Sequence, residues 1–137
     1  SFRPGDILSS RKGLTVEIDN TDAEGRLVLG DALARASEDN PDLILDFATL
    51  TGAARVALGA DLAPLYTDDE QLAADILAAS ARTGDPVWRM PLWEPYLADL
   101  KSPVADLVNS GGSFAGSITA AVFLKQFVDA KSWAHFD

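Results

Sequence analysis

Thr15-Val16-Glu17-Ile18-Asp19-Asn20-Thr21-Asp22-Ala23-Glu24-Gly25-Arg26-Leu27-Val28-Leu29 passes from a β-branched run, through a turn rich in carboxylates, into a strongly helical segment. Strand propensity ends near Ile18. From Glu24 to about Glu38, Leu29, Ala32, Leu33 and Ala36 recur at the i, i+3, i+4, i+7 spacing of an amphipathic helix. Asn40-Pro41 stops it, because the residue before proline is pushed out of helical conformation. A strand, a polar turn and a helix in succession is the unit of an α/β fold.

The turn also concentrates charge. Asp22 and Glu24 are two apart, and so are Glu24 and Arg26. In an extended segment such residues point to one side. If the turn stays extended through Glu24, both carboxylates converge, and two hard oxygen donors aimed at one point suit a divalent cation. The carboxyl end of a strand in an open α/β sheet is also where ligands usually bind. A plainer reading stands beside this one. Thr21-x-x-Glu24 is a capping box, with both acids favouring the helix dipole. Arg26 runs against it, since a cation in the first helical turn costs roughly 0.3–1 kcal/mol. A broken local rule marks a place where a site is expected. The two readings are compatible, because Thr21 can cap while the carboxylates bind.

The same unit repeats further along the chain. Leu43-Ile44-Leu45-Asp46-Phe47 reads as a buried parallel strand, with Asp46 needing a partner for its carboxylate. Thr49-Leu50-Thr51-Gly52 then turns into a helical run from Ala53 to Leu58. The free amides of that helix start suit anionic or carbonyl oxygens. The two turns are expected to end neighbouring parallel strands and so to meet. Upstream, Ile7-Leu8 and Thr15–Ile18 are separated by a gap containing Gly13, as in a hairpin. Downstream, Leu62–Thr67 reads as a strand. Asp68-Asp69-Glu70 opens a helix striped by Leu72, Ala73, Ile76 and Leu77, closed by Gly84 and Pro86. Val87–Tyr96, rich in proline and aromatics, reads as an ordered loop and short helix packed on the core. Asn109–Ser117 is a glycine-rich loop before a helix whose buried face is Ala120, Phe123, Leu124 and Phe127. It lacks the Gly-Lys-Ser/Thr of a phosphate loop. Trp133–Asp137 reads as a final strand. His135, the one histidine, reads as a hydrogen-bonded core residue without a metal role.

Composition sets the limits. The 137 residues are 47% hydrophobic, enough for one core. A net charge of −10 disfavours nucleic acid and anionic membrane surfaces as partners. No apolar run approaches the ~18 residues of a membrane span. There is no cysteine, hence no disulfide or thiolate metal site, which fits a cytoplasmic location.

Asn20-Thr21-Asp22-Ala23-Glu24-Gly25-Arg26-Leu27 resembles the signature of the leucyl (cytosol) aminopeptidase family. Its companions come in the family's order: Arg3-Pro4-Gly5-Asp6, Asp46–Gly52, Ala105–Asn109, Ala115-Gly116 with Thr119–Ala121, and Trp133–Asp137. The resemblance covers essentially the whole chain. It implies a mixed, largely parallel sheet flanked by helices, present as part of one metallo-aminopeptidase catalytic domain truncated at both ends. It implies a two-metal exopeptidase, with zinc or manganese, that releases N-terminal leucine-type residues from peptides using water activated by the metals. Asp22 would bind metal through carboxylate and main-chain carbonyl, and Glu24 would bridge the two ions. Arg26 would hold a bicarbonate-like anion or stabilise the oxyanion. Thr49, Leu50 and Gly52 would line the substrate site. The family's other ligands, a lysine and two aspartates, and a second catalytic lysine are expected upstream of Ser1. Where the family often has arginine, this chain has Ser113. A homo-hexamer is implied for the longer protein, and inactivity for these residues alone. The alternative is a non-catalytic relative that keeps the fold for assembly.

Overall fold

The computed structural model describes residues 1–137. The first strand pair is the expected hairpin: β1 (Ile7–Ser9) runs antiparallel to β2 (Thr15–Glu17), with Gly13 at φ 95° in the connection. A short strand from far along the chain, β6 (Leu107–Val108), joins β2 in parallel. A second sheet has the order β3-β7-β4-β5, from β3 (Leu43–Phe47), β4 (Ala63–Tyr66), β5 (Val87–Arg89) and β7 (Ser132–Phe136). β3–β7 and β4–β5 are parallel, and β4–β7 is antiparallel. The architecture is therefore α/β with mixed pairing and flanking helices, its strands divided between two sheets.

Four helices complete it: α1 (Gly25–Ser37), α2 (Gly52–Leu58), α3 (Glu70–Thr83) and α4 (Gly116–Lys125), with a 3-10 helix at Glu94–Leu100. α4 is the centre. Its sequence is apolar all round, and Ser117 and Thr119 through Leu124 are buried. A helix of that kind must sit inside. Val122, Phe123 and Leu124 pack in one cluster with Val16 and Leu107 from the first sheet and Ile44 and Trp133 from the second. One helix thus joins the two sheets through a common core. No helix is long and apolar enough to cross a membrane.

Several expectations are corrected. Val87–Arg89 is a strand rather than loop, because it pairs in register with Ala63–Leu65. The aromatics beside it do not pack on the core: Trp88 is 59% and Trp93 53% exposed. β3 is covered on one face only. It is an edge strand, and Leu43, Leu45 and Phe47 point away from α4 and are exposed, while Ile44 and Asp46 point inward. In α1 the buried face is Gly30, Leu33, Ala34 and Ser37, one position off the expected stripe, with Ala32 exposed. The reason is close approach at Gly30, where a Cβ would lie 3.2 Å from the Phe127 ring.

Asp46 has the partners its burial demands. Its carboxylate accepts from Trp133 Nε1 at 2.7 Å and meets His135 Nδ1 at 2.5 Å. His135 is fully buried between the stacked rings of Tyr66 and Trp133, a hydrogen-bonded core residue as its place in the strand predicts.

Candidate functional site

The carboxylate turn leaves β2 and enters α1, but not as a capping box. The N-cap of α1 is Glu24, already helical at φ −73° and ψ −33°, with no side-chain cap. Asn20 takes over the local hydrogen bonding: its Oδ1 accepts from the Asp22 amide at 2.9 Å, and its carbonyl accepts from Ala23 at 3.2 Å. The helix begins at Gly25 rather than at Asp22, where a Thr21 cap would start it, so Glu24 stands at the N-cap rather than at the third helical position. The segment is also not extended through Glu24, so strand alternation does not account for where its side chain goes.

A second wall faces this turn. Thr51 is the N-cap of α2, extended at φ −130° and ψ 141°, and its hydroxyl accepts from Ala54 N at 3.1 Å. Between the turn and this wall lies a cavity of about 300 Å³. Asp22, Glu24, Arg26, Thr49, Leu50 and Gly52 all line it, with Asn20, Thr51 and Gly116 among the rest. The turns do not end neighbouring strands, since β2 and β3 belong to different sheets. They meet instead because α1 and α2 both pack on α4: a Cβ on Gly25 would lie 3.4 Å from Leu50 Cδ1, and one on Gly116 3.1 Å from Ala53 Cβ. A larger cavity, about 570 Å³, shares the Thr49–Gly52 wall and is lined by Arg55, Asp61, Asp85 and Asp137 among others.

The charges in the first cavity are unneutralised within the chain. Neither Asp22 nor Glu24 forms an ion pair, and neither does Arg26. Arg26 Nη1 is buried and has no hydrogen-bond partner. Burial lowers the Arg26 pKa, opposed by the charges of Asp137 and Asp19. Its guanidinium carbon stands 6.0 Å from the Phe123 ring centroid. A guanidinium stays charged even so.

The donor set fits hard divalent cations in part. Two carboxylates line one cavity, and carboxylate oxygens are the ligands of zinc, manganese and magnesium sites alike. No group of three or more histidine, aspartate or glutamate side chains is placed to hold an ion, so these residues alone do not complete a coordination sphere.

Two residues without an assigned role in the sequence hold the site in shape. Asp137 Oδ1 accepts from the amides of Leu50 and Thr51, each at 3.0 Å. Its Oδ2 accepts from the Thr51 hydroxyl at 2.6 Å and from Ser117 Oγ at 2.8 Å, and Tyr66 in turn donates to Ser117 at 2.7 Å. Asn109, fully buried, bonds the backbone of the carboxylate turn. The available signal was a polar residue ending each of two apolar strands, β6 and β7, which strand periodicity does not require.

The model of the cytosol aminopeptidase family, catalytic domain, matches residues 1–137. Leucine aminopeptidase 1 of Arabidopsis thaliana is 54% identical over 137 residues, covering 99% of this chain and 26% of that protein. The crystal structure of a cytosol aminopeptidase from Coxiella burnetii superposes with a TM-score of 0.95 at 56% identity, over 100% of this chain and 30% of that one. The bottromycin maturation enzyme BotP in complex with Mn superposes at 0.93 and 47% identity, over 98% of this chain and 30% of that one. The chain spans about a quarter of the length of the curated relatives it matches.

Proposed function

The chain belongs to the cytosol aminopeptidase family, and from that premise we propose that it forms one side of the active site of a two-metal aminopeptidase acting on peptides with leucine-type N-termini. The observation that carries the reading is the meeting of three unpaired charges, Asp22, Glu24 and Arg26, with the Thr49–Gly52 wall around one cavity. A purely structural turn needs a cap, and this one has none on Thr21 or Glu24.

Asp22 and Glu24 would hold the divalent ions, zinc or manganese, with Glu24 placed between them. When bound, such ions polarise a carbonyl and make water a nucleophile at neutral pH. Arg26 brings a fixed positive charge to the cavity at a donor that nothing in the chain satisfies. It would hold a bicarbonate-like anion, or negative charge developing on the substrate, in a place where low dielectric strengthens the interaction. Thr49, Leu50 and Gly52 would orient the peptide through their backbone. Asp137 holds the middle of that wall through the Leu50 and Thr51 amides, so the substrate meets a preformed wall rather than a mobile loop. The remaining metal ligands would come from outside these residues. A homo-hexamer and a cytoplasmic location belong to the same reading of the longer protein.

The test uses the longer protein. Hydrolysis of leucine amide should be lost on chelation and restored by Mn²⁺ or Zn²⁺, and Glu24→Gln should abolish it while leaving the fold intact. Retained turnover in Glu24→Gln would reject the assignment. A folded protein that neither binds divalent ions nor cleaves any N-terminal residue would favour an assembly role. The 137 residues alone should bind metal weakly and show no turnover; two tightly bound ions per chain in calorimetry would contradict that.

A further inference from the structure

We propose that Asn109 is the positioning residue of the carboxylate turn, fixing the backbone from which Asp22 and Glu24 are presented to the cations. The inference rests on the active-site reading above. Asn109 lies just past β6, and its amide N–H continues the parallel ladder by donating to Glu17 O at 3.0 Å. Its side chain therefore leaves the sheet at the level where β2 runs out into the turn. Asn109 is fully buried, and every hydrogen bond of its side chain is to that turn. Oδ1 accepts from Asp19 N at 3.0 Å and Asn20 N at 3.3 Å. Nδ2 donates to Asn20 O at 2.7 Å and, more weakly, to Ala23 O at 3.4 Å.

A primary amide is the group this place requires. It presents an acceptor and a donor side by side in one plane, and here the acceptor meets two N–H groups while the donor meets two carbonyls. The opposite orientation would set N–H against N–H. Aspartate could not donate, and serine is too short to reach both sides at once. The clamp spans Asp19 to Ala23, so Asp22 lies inside it and Glu24 follows directly. The turn's other internal restraints, the contacts made by Asn20, tie it only to itself. Beyond one bond from Ser110 Oγ to the Asp19 carboxylate at 3.0 Å, which holds only the first residue of the turn, Asn109 is what ties it to the sheet, and through the sheet to the core. Outer groups that orient metal ligands in this way typically alter metal affinity or activity by about 10- to 100-fold when removed.

The test is Mn²⁺ titration of the longer protein by calorimetry, read beside thermal unfolding and circular dichroism. Asn109→Ala should bind Mn²⁺ about 10- to 100-fold more weakly than wild type while remaining folded. Asn109→Ser, which keeps a polar group in the buried place but cannot span the turn, should lose affinity likewise, and it decides the matter if the alanine variant does not fold. Val122→Ala, a destabilising truncation in the core away from the turn, should bind Mn²⁺ as wild type does. Unchanged affinity in a folded Asn109 variant, or an equal loss in Val122→Ala, would overturn the inference and leave the active-site reading standing. A wild-type protein that binds no Mn²⁺, or binds it equally in Glu24→Gln, would overturn the active-site reading and this inference with it.

Discussion

Thr51 and Asp137 are joined twice: the Thr51 amide donates to Oδ1 at 3.0 Å, and its hydroxyl donates to Oδ2 at 2.6 Å. The same hydroxyl accepts from Ala54 N at 3.1 Å and so caps α2. The end of β7 thereby sets the start of α2, and with it the wall of the cavity. Asp137→Ala leaves the Leu50 and Thr51 amides and two hydroxyls without their acceptor. It should lower stability by about 2–3 kcal/mol in urea unfolding, the scale of unsatisfied polar groups that water partly reaches. In the longer protein it should raise KM for a peptide substrate more than it lowers kcat, because the loss falls on binding backbone. A variant with unaltered KM would show that the wall keeps its shape without Asp137.

Tyr66 should make the protein sensitive to alkali. Burial pushes its hydroxyl up to about 12, reinforced by Asp137 and opposed by the hydrogen bond to Ser117. An unfolded tyrosine titrates near ~10. The folded value is the raised one, so this stability is fully present below pH ~10 and is lost as pH rises toward 12. Tyr66→Phe should cost about 1 kcal/mol at neutral pH by removing the hydrogen bond. It should also be indifferent to the alkaline range. Urea midpoints of the two proteins should therefore converge as pH rises above ~10; parallel curves would refute the argument.

Acid should act first on α3. Ser132 and the Leu72 amide hold the Asp69 carboxyl below its ordinary range, and Arg89 does the same for Glu70 through two contacts at 2.6 and 2.7 Å. Both folded values are lowered, so the stability they lend is present above about pH 4 and is lost as pH falls through the folded values. Asp69 also caps α3 at Leu72 N and accepts from Ser132 in β7. Amide exchange in the first turn of α3 should accelerate below pH ~4 before exchange in α4 does. Simultaneous loosening of both helices would count against a local effect.

Arg26 should trade stability for activity. It is a half-buried cation at the start of a helix, with its buried Nη1 unpartnered and desolvation lowering its pKa. Arg26→Met should raise stability by about 1 kcal/mol, removing both the opposition to the helix dipole and the buried donor. The same change should lower kcat about 10²-fold in the longer protein, with a smaller effect on KM, if the charge acts on developing negative charge. Arg26→Lys should restore little, since an ammonium lacks the planar fork. A kcat indifferent to Arg26→Met would remove Arg26 from the reaction.

The carboxylate turn, the helix after it and the apolar α4 are legible along the sequence because their causes are local. Apolar periodicity, glycine and proline punctuation and the Asp69 cap act within a few residues, and they place α2, α3, β4 and β7 within a residue or two of where they stand. The ordered motifs from Arg3 to Asp137 likewise identify the family, since they are a property of the string. What the string does not carry is who meets whom. Whether Thr21 or Asn20 organises the turn depends on Asn109, 89 residues away, and the shape of the Leu50–Thr51 wall depends on Asp137, 86 residues from Thr51. That Trp88 and Trp93 are exposed and β3 is covered on one face follows from the order of strands in a sheet, which no local pattern encodes. Residue types and spacing determined the elements and the charges available to a site. The packing of α1 and α2 on α4 decided that those charges share one cavity, because a hydrogen bond or contact between distant residues exists only once the chain has closed the loop between them.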